Sequence, residues 1–114
     1  MKNLKLILSL LSITLFYTAC IQPDKNLKTS SFKVYGNCEM CKKRIDKAAK
    51  ITGVKKADWD ADDKIMKVTF DSTVTKVDKI EKAIAGIGHD TQTAKATDAA
   101  YSDLPECCQY ERSK

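Results

Sequence analysis

Polar and apolar residues alternate in several short segments of the chain, and a period of two predicts β-strands with one buried face. The alternation runs from Ser31 to Tyr35, from Val54 to Trp59 and from Met66 to Phe70. The acidic run Asp60–Asp63 separates the last two segments and predicts the turn of a hairpin. A weaker alternation from Gly88 to about Lys95 predicts a last strand.

Two other segments place apolar residues three and four positions apart, which is the spacing of one helix face. A first helix is predicted over about residues 41–50, with Gly53 as its stop signal. A second helix is predicted to end near Gly86, and its apolar face consists of Val77, Ile80, Ala83, Ile84 and Ile87. The order βαββαβ predicts a ferredoxin-like α+β sandwich, with two helices on one face of a four-stranded antiparallel sheet.

The N-terminus has a different pattern, because Lys2 and Lys5 precede an apolar run from Leu6 to Phe16. This pattern is typical of a targeting segment, and the run is shorter than a typical transmembrane helix. Residues 17–20, Tyr-Thr-Ala-Cys, resemble the bacterial lipobox. The resemblance implies a lipoprotein signal peptide over residues 1–19 and a lipid on Cys20. The alternative is an uncleaved N-terminal anchor helix.

The remaining segments flank the predicted domain, residues 31–95. Residues 20–30 are polar and aperiodic, so they are predicted to be a tether. Residues 96–114 form a C-terminal tail with an adjacent pair, Cys107 and Cys108, and with apolar residues that offer a docking surface, namely Tyr101, Leu104 and Tyr110. The net charge of +5 includes the two leader lysines, so the rest of the chain is too weakly basic to indicate nucleic-acid binding.

Cys38 and Cys41 are separated by two residues at the predicted junction of the first strand and the first helix. Thiolates are soft ligands, so the pair favours Cu(I), Zn(II) or Hg(II) over hard, oxygen-seeking ions. The spacing lets both sulfurs face one ion, and the dipole of the helix stabilises a thiolate in its first turn. A CxxC pair by itself also occurs in structural zinc modules and in thiol–disulfide redox proteins.

With this loop, Gly36-Asn37-Cys38-Glu39-Met40-Cys41, the segment 31–95 resembles the heavy-metal-associated family of copper chaperones, metal-pump domains and periplasmic mercuric-ion-binding proteins. The family's G-M-x-C-x-x-C loop binds metal, which implies that Cys38 and Cys41 are ligands. Tyr35-Gly36-Asn37 stands here in place of Gly-Met-x, so the methionine that packs beneath the loop is missing. Met40 is expected to be an ordinary exposed or packing side chain rather than a thioether ligand.

His89, Cys107 and Cys108 are further candidate ligands. His89 lies where the family commonly has Tyr, Phe or Lys beside the metal loop, which implies either a third ligand or a solvent-exposed turn histidine. The tail cysteines either add thiolates to the site or form a disulfide in an oxidising envelope. Because the side chains of neighbouring residues diverge, one of the two is the expected ligand.

These features predict a metal carrier or scavenger without a catalytic step, which prefers Cu(I) over Zn(II) or Hg(II). The lipid on Cys20 would hold it in the bacterial cell envelope, facing the periplasm or on the outer membrane. The resemblance implies a metal-transporting ATPase or another carrier domain as partner, and no nucleic acid. A positive rim suits such docking, or else is a solvated helix face, and it consists of Lys42, Lys43, Arg44 and Lys47.

Two alternatives of other classes stay open at this point. One is a structural zinc module in which the four cysteines Cys38, Cys41, Cys107 and Cys108 fasten the tail to the domain. The other is a thiol–disulfide redox protein, since a CxxC pair at a helix N-terminus is also the redox arrangement. The chain lacks a Trp-Cys-Gly-Pro-Cys segment, and its only prolines, Pro23 and Pro105, lie outside the domain.

Overall fold

The structure is a computed structural model that describes residues 25–113. Three strands form an antiparallel sheet in the order β1-β3-β2, and their bounds are Leu27–Lys33 (β1), Val54–Trp59 (β2) and Ile65–Asp71 (β3). Two main helices, Glu39–Ala49 (α1) and Val77–Gly86 (α2), pack on each other, and α1 also packs on β2. The predicted α+β fold is confirmed.

The central strand β3 organises the core because its alternate residues Met66, Val68 and Phe70 are buried. Phe32 of β1 and Trp59 of β2 both lie opposite Met66 in the sheet register. Cross-strand partners share one face, so these side chains form one apolar layer. The helices cover that layer with fully or nearly fully buried residues: Ile45 and Ala49 from α1, and Ile80, Ile84 and Ala85 from α2.

Strand β1 starts at Leu27, inside the segment that the sequence predicts to be a tether. It pairs with β3 along its whole length, and the hydroxyl oxygens of Thr29 and Thr69 lie 3.2 Å apart. Residues 27–31 of this strand are exposed or half-exposed, and only Phe32 is buried. The polar start of the strand therefore shows no alternation, and backbone pairing rather than burial makes it extended.

The predicted fourth strand, residues 88–95, is reduced in the described residues to an isolated antiparallel bridge between Val34 and Thr91. The amide of Tyr35 donates to the carbonyl of Asp90, and the amide of Gln92 donates to that of Lys33, both at 2.9 Å. After this point the backbone turns, because the amide of Thr91 donates to the carbonyl of Ala94 at 2.7 Å.

The buried carboxylate of Glu81 holds this turn, since it accepts hydrogen bonds from the hydroxyl of Thr91 and the amide of Thr93, both at 3.1 Å. Side-chain hydrogen bonds of this kind compete with a strand ladder. The fourth position of the sheet is therefore occupied, next to β1, by a bridge and a turn.

The C-terminal tail is folded onto the domain. It contains a short helix, Asp98–Ser102 (α3), and a 3-10 helix, Glu106–Cys108. Leu104, Cys108 and Tyr110 are buried with the core, and Tyr101 is half-buried against it. The apolar docking surface predicted from Tyr101, Leu104 and Tyr110 is therefore confirmed.

Polar contacts fix the position of the tail. The hydroxyl of Tyr110 accepts from the amide of Asp90 at 2.7 Å and donates to the carbonyl of Gly88 at 2.8 Å. Gly88 has a φ of +110°, and a Cβ on it would lie 2.6 Å from the carbonyl oxygen of Ala100. Glycine at this position permits both the backbone turn and the close approach of α3.

None of the helices in residues 25–113 combines the length and the apolar character needed to cross a membrane. The signal peptide predicted over residues 1–19, the lipidation at Cys20 and the first part of the tether lie outside the described residues.

Candidate metal centre

The loop that carries Cys38 and Cys41 lies directly on the core. A Cβ on Gly36 would lie 3.0 Å from Trp59, 3.1 Å from Ile45 and 3.2 Å from Cys41, so only glycine fits here without displacing its neighbours. The indole of Trp59 is fully buried, and its N–H donates to the carbonyl of Val34 at 2.9 Å. Trp59 thus supports the loop from below at Gly36, the residue that stands where the family pattern has a methionine.

The start of α1 brings three sulfur atoms together. Cys38 is the extended residue immediately before the helix, and Cys41 lies in its first turn. Their Sγ atoms are 3.5 Å apart, and the Sγ of Cys108 joins them so that all three lie within 4.8 Å of one another. Three sulfurs that each bind one ion at about 2.3 Å in a trigonal arrangement lie about 4.0 Å apart. The group needs only small side-chain adjustments to bind one ion.

Cys41 and Cys108 are fully buried, whereas Cys38 is half-buried at the mouth of the group. The pKa of Cys38 is lowered to about 7, mainly because the backbone N–H of Cys41 donates to its sulfur, which outweighs the effect of burial. Burial and a hydrogen bond to Cys41 raise the pKa of Cys108. Near neutral pH the Cys38 thiol is therefore partly ionised, whereas Cys108 keeps its proton, which a bound cation would displace.

The two tail cysteines point in different directions. Cys108 faces inward, whereas Cys107 is exposed, with its Sγ 3.9 Å from that of Cys108 and 3.5 Å from the Sδ of Met40. A hydrogen bond to Cys38 raises the pKa of Cys107. Cys107 does not belong to the group whose sulfurs all lie within 4.8 Å of one another. All four thiols of this region are free.

His89 is not brought into the sulfur group. It is fully buried, so its interpretation as a solvent-exposed turn histidine is wrong. Its Nδ1 lies 2.7 Å from the carbonyl oxygen of Tyr35, and its ring stacks on Tyr110 at a centroid distance of 5.6 Å. Burial lowers its pKa, so the ring is neutral with Nδ1–H donating to Tyr35. His89 braces the end of the segment that leads into the metal loop, and its Nε2 has no hydrogen-bond partner among the described residues.

The predicted positive rim is partly neutralised. The Nζ of Lys42 lies 2.7 Å from a carboxylate oxygen of Asp46 and 2.6 Å from one of Asp58, and these hydrogen bonds raise its pKa. The other carboxylate oxygen of Asp46 accepts from the amide of Trp59 at 2.8 Å. Lys42 thus connects α1 to β2 beside the metal loop, while Lys43 and Lys47 remain exposed.

Sequence reasoning missed the clamp that holds the tail. The guanidinium of Arg112 makes two hydrogen bonds to the carboxylate of Asp90, at 2.9 and 3.0 Å, and a further one to the carbonyl of Ala96. The amide of Ala96 also donates to Asp90 at 2.8 Å. A single arginine near the end of a polar tail gives no periodic signal, so only its partners in the fold reveal this role.

The comparison with protein families matches residues 32–90 to the heavy-metal-associated domain. A comparison with curated protein sequences gave no match.

Solved structures with the same fold include oxidized MerP from Ralstonia metallidurans CH34, which is 34% identical, with a TM-score of 0.55 over 58% of this chain and 94% of that one. The CopZ metallochaperone is 27% identical, with a TM-score of 0.54 over 56% of this chain and 98% of that one. A copper-binding domain from HMA7, a P-type ATPase, is 24% identical, with a TM-score of 0.54 over 56% of this chain and 89% of that one. This last likeness shows the fold alone.

Proposed function

The chain belongs to the heavy-metal-associated domain family, and we propose that it carries or sequesters a soft metal ion, Cu(I) by preference, on Cys38, Cys41 and Cys108. The observation that carries this proposal is the grouping of their three sulfurs within 4.8 Å of one another. An all-sulfur site selects soft ions, and structural Zn(II) almost always takes four protein ligands. A group of three thiolates therefore favours Cu(I) over Zn(II), with Hg(II) as a further soft candidate.

The contacts of the tail argue against a structural zinc module. Leu104 and Tyr110 are buried in the core, and Arg112 ties the tail to Asp90 by two hydrogen bonds. These contacts account for the position of the tail through apolar packing and protein hydrogen bonds, without a metal–thiolate staple. Cys108 is consequently positioned as a third ligand before an ion arrives, which lowers the entropic cost of binding.

The first test is a Cu(I) competition assay against a chromogenic chelator, on the reduced full chain and without oxygen. Cys38→Ser with Cys41→Ser should abolish tight binding. Cys108→Ser should weaken it by about 10- to 100-fold, since even the loss of outer-shell partners has effects of this size. Cys107→Ser is the matched neighbour control and should leave the affinity for the first ion unchanged.

X-ray absorption provides an independent readout of the same proposal at one equivalent of Cu(I). The wild-type chain should show three sulfur ligands and Cys108→Ser two. If the wild-type chain shows two sulfurs and Cys108→Ser binds with wild-type affinity, Cys108 is not a ligand. Circular dichroism of each variant checks that the fold is retained.

We further propose that a lipid on Cys20 anchors this carrier in the bacterial cell envelope, facing the periplasm or on the outer membrane. The support is the leader pattern of residues 1–19 and the lipobox-like residues before Cys20. The partner would be a metal-transporting ATPase or another carrier domain of the same fold. Fractionation tests the anchor: Cys20→Ser should move the protein from the membrane to the soluble fraction, whereas retention of the mutant in membranes with an intact N-terminus would indicate a helical anchor.

A further inference from the structure

We propose that Cys107 and Met40 form an outer subsite that binds a second soft monovalent ion beside the three inner sulfurs. This inference rests on the proposed function, because the second ion would share a thiolate with the first. Its basis is a set of sulfur atoms at the mouth of the site that the inner group does not use.

The geometry of the outer sulfurs is that of a bridged site. The Sγ of Cys107 lies 3.5 Å from the Sδ of Met40 and 3.9 Å from the Sγ of Cys108. The Sγ of Cys38 also donates to the backbone carbonyl of Cys107 at 3.5 Å, which holds this residue at the mouth of the site. One ion about 2.3 Å from each of three sulfurs requires spacings of about 4.0 Å. The two distances from Cys107, to Met40 and to the thiolate of Cys108 that would be shared with the inner group, come close to this requirement.

The position of Met40 also indicates a ligand. Its side chain lies in the first turn of α1 between the two loop cysteines, and 49% of its surface is exposed. An exposed methionine gains little from burial, yet its sulfur faces a thiol rather than solvent alone. A thioether and a thiolate are both soft ligands, and together they select Cu(I) or Ag(I) over oxygen-seeking ions.

A second ion suits the arrangement better than a fourth bond to the first ion. Cys107 lies outside the group whose sulfurs are all within 4.8 Å of one another, so in this arrangement the four sulfurs do not surround one point. Charge also favours two ions. When Cys107 becomes a thiolate it adds one negative charge, and a second monovalent ion adds one positive charge, so the net charge of the site stays as it is with one ion and three thiolates.

The experiment counts ions bound to the full reduced chain by native mass spectrometry during an anaerobic Ag(I) titration, with Cu(I) as the second probe. The wild-type chain should bind two ions per monomer. Cys107→Ser and Met40→Leu should each weaken the second ion by at least about tenfold and leave the first unchanged, because each variant lacks one direct outer ligand. Both side chains are exposed, so neither change should disturb the fold.

Met66→Leu is the matched control, because it removes a thioether that is fully buried in the core. This variant should still bind two ions per monomer. X-ray absorption at two equivalents of Cu(I) should show a short copper–copper vector in the wild-type chain and none in Cys107→Ser.

The outcomes separate this inference from the proposed function. A wild-type chain that binds one ion through three sulfurs overturns the outer subsite and leaves the inner one intact. Two ions in both Cys107→Ser and Met40→Leu would also overturn it. Failure of the wild-type chain to bind even a first ion would overturn the proposed function itself.

Discussion

Arg112→Met should loosen the C-terminal tail and thereby lower the fraction of chains in which Cys108 lies beside Cys38 and Cys41. The variant keeps an aliphatic side chain but removes the guanidinium that makes two hydrogen bonds to Asp90 and one to the carbonyl of Ala96. The side chain of Asp90 is only 4% exposed and that of Arg112 is 21% exposed. A largely buried carboxylate would then keep the amide of Ala96 as its main partner.

The magnitude follows from the burial of this pair. Removing one partner of a buried ion pair costs about 3–5 kcal/mol, and the partial exposure of Arg112 reduces this to about 2–3 kcal/mol. The contact of Arg112 with Asp98 adds little, because that carboxylate is fully exposed. A cost of this size increases opening of the tail by about 30- to 150-fold.

Amide hydrogen exchange on the intact chain measures this opening. Exchange over residues 98–110 should accelerate by that factor, while exchange over β3 stays unchanged. The Cu(I) affinity should fall in proportion to the fraction of chains whose tail is closed, and it reaches that of Cys108→Ser only where the open tail predominates. Asp90→Asn provides the partner for a double-mutant cycle, and the double variant should cost at least about 1 kcal/mol less than the sum of the single ones. Unchanged exchange over the tail in Arg112→Met would refute the clamp.

Acid should open the same clamp. Burial acts to raise the pKa of Asp90, but the hydrogen bonds from Arg112 and Ala96 outweigh it, so that the pKa lies below its usual value. A carboxyl with a lowered folded-state pKa stabilises the fold above its unfolded pKa of about 4, and this contribution is lost as the pH falls through the folded value. Protection of the tail amides should therefore be constant near neutral pH and decline below about pH 4.

Two further predictions concern single groups. Because its pKa is lowered to about 7, Cys38 should be alkylated by iodoacetamide with a midpoint near pH 7 in the reduced, metal-free chain. It should react before the more exposed Cys107, whose pKa is raised. Peptide mapping that finds Cys107 modified first would contradict this prediction. Tyr110→Phe should lower the free energy of unfolding in urea by about 1–3 kcal/mol, because it leaves the amide of Asp90 and the carbonyl of Gly88 buried without a partner. A change below about 0.5 kcal/mol would show that water replaces the hydroxyl.

Sequence analysis predicted those elements in which buried and exposed residues follow a regular period. Strand β3 alternates buried and more exposed residues, and α1 buries Cys41, Ile45 and Ala49 at helical spacing. The first half of β1 is exposed, so it has no alternation to detect, and its extended form comes from pairing with β3. The fourth strand was overestimated because the carboxylate of Glu81, distant in sequence, bends the chain after Thr91.

The predictability of the site residues likewise depends on whether the contacts that position them are local or distant in sequence. The spacing of Cys38 and Cys41 is local, and the sequence therefore predicts that both sulfurs face one ion. The orientation of Cys107 and Cys108 depends on where the tail lies, and that is set by Arg112 and Tyr110 through partners some twenty residues away. The burial of His89 depends on Tyr35 and Tyr110, and no pattern around residue 89 indicates either contact.

The folded tail determines how the proposed third thiolate, Cys108, would contribute to binding. A tail that became ordered only on binding would spend about 1–2 kcal/mol of backbone entropy per residue at that moment. Here contacts with the domain hold the tail through Leu104, Tyr110 and Arg112, so this entropy is lost when the chain folds and not when an ion binds. The same contacts keep Cys108 beside Cys38 and the buried Cys41. Under the proposed function, an ion would pass to a partner through the half-buried Cys38, through an opened tail, or through the exposed sulfurs of Cys107 and Met40. The clamp variant tests the second route, and the outer-subsite variants test the third.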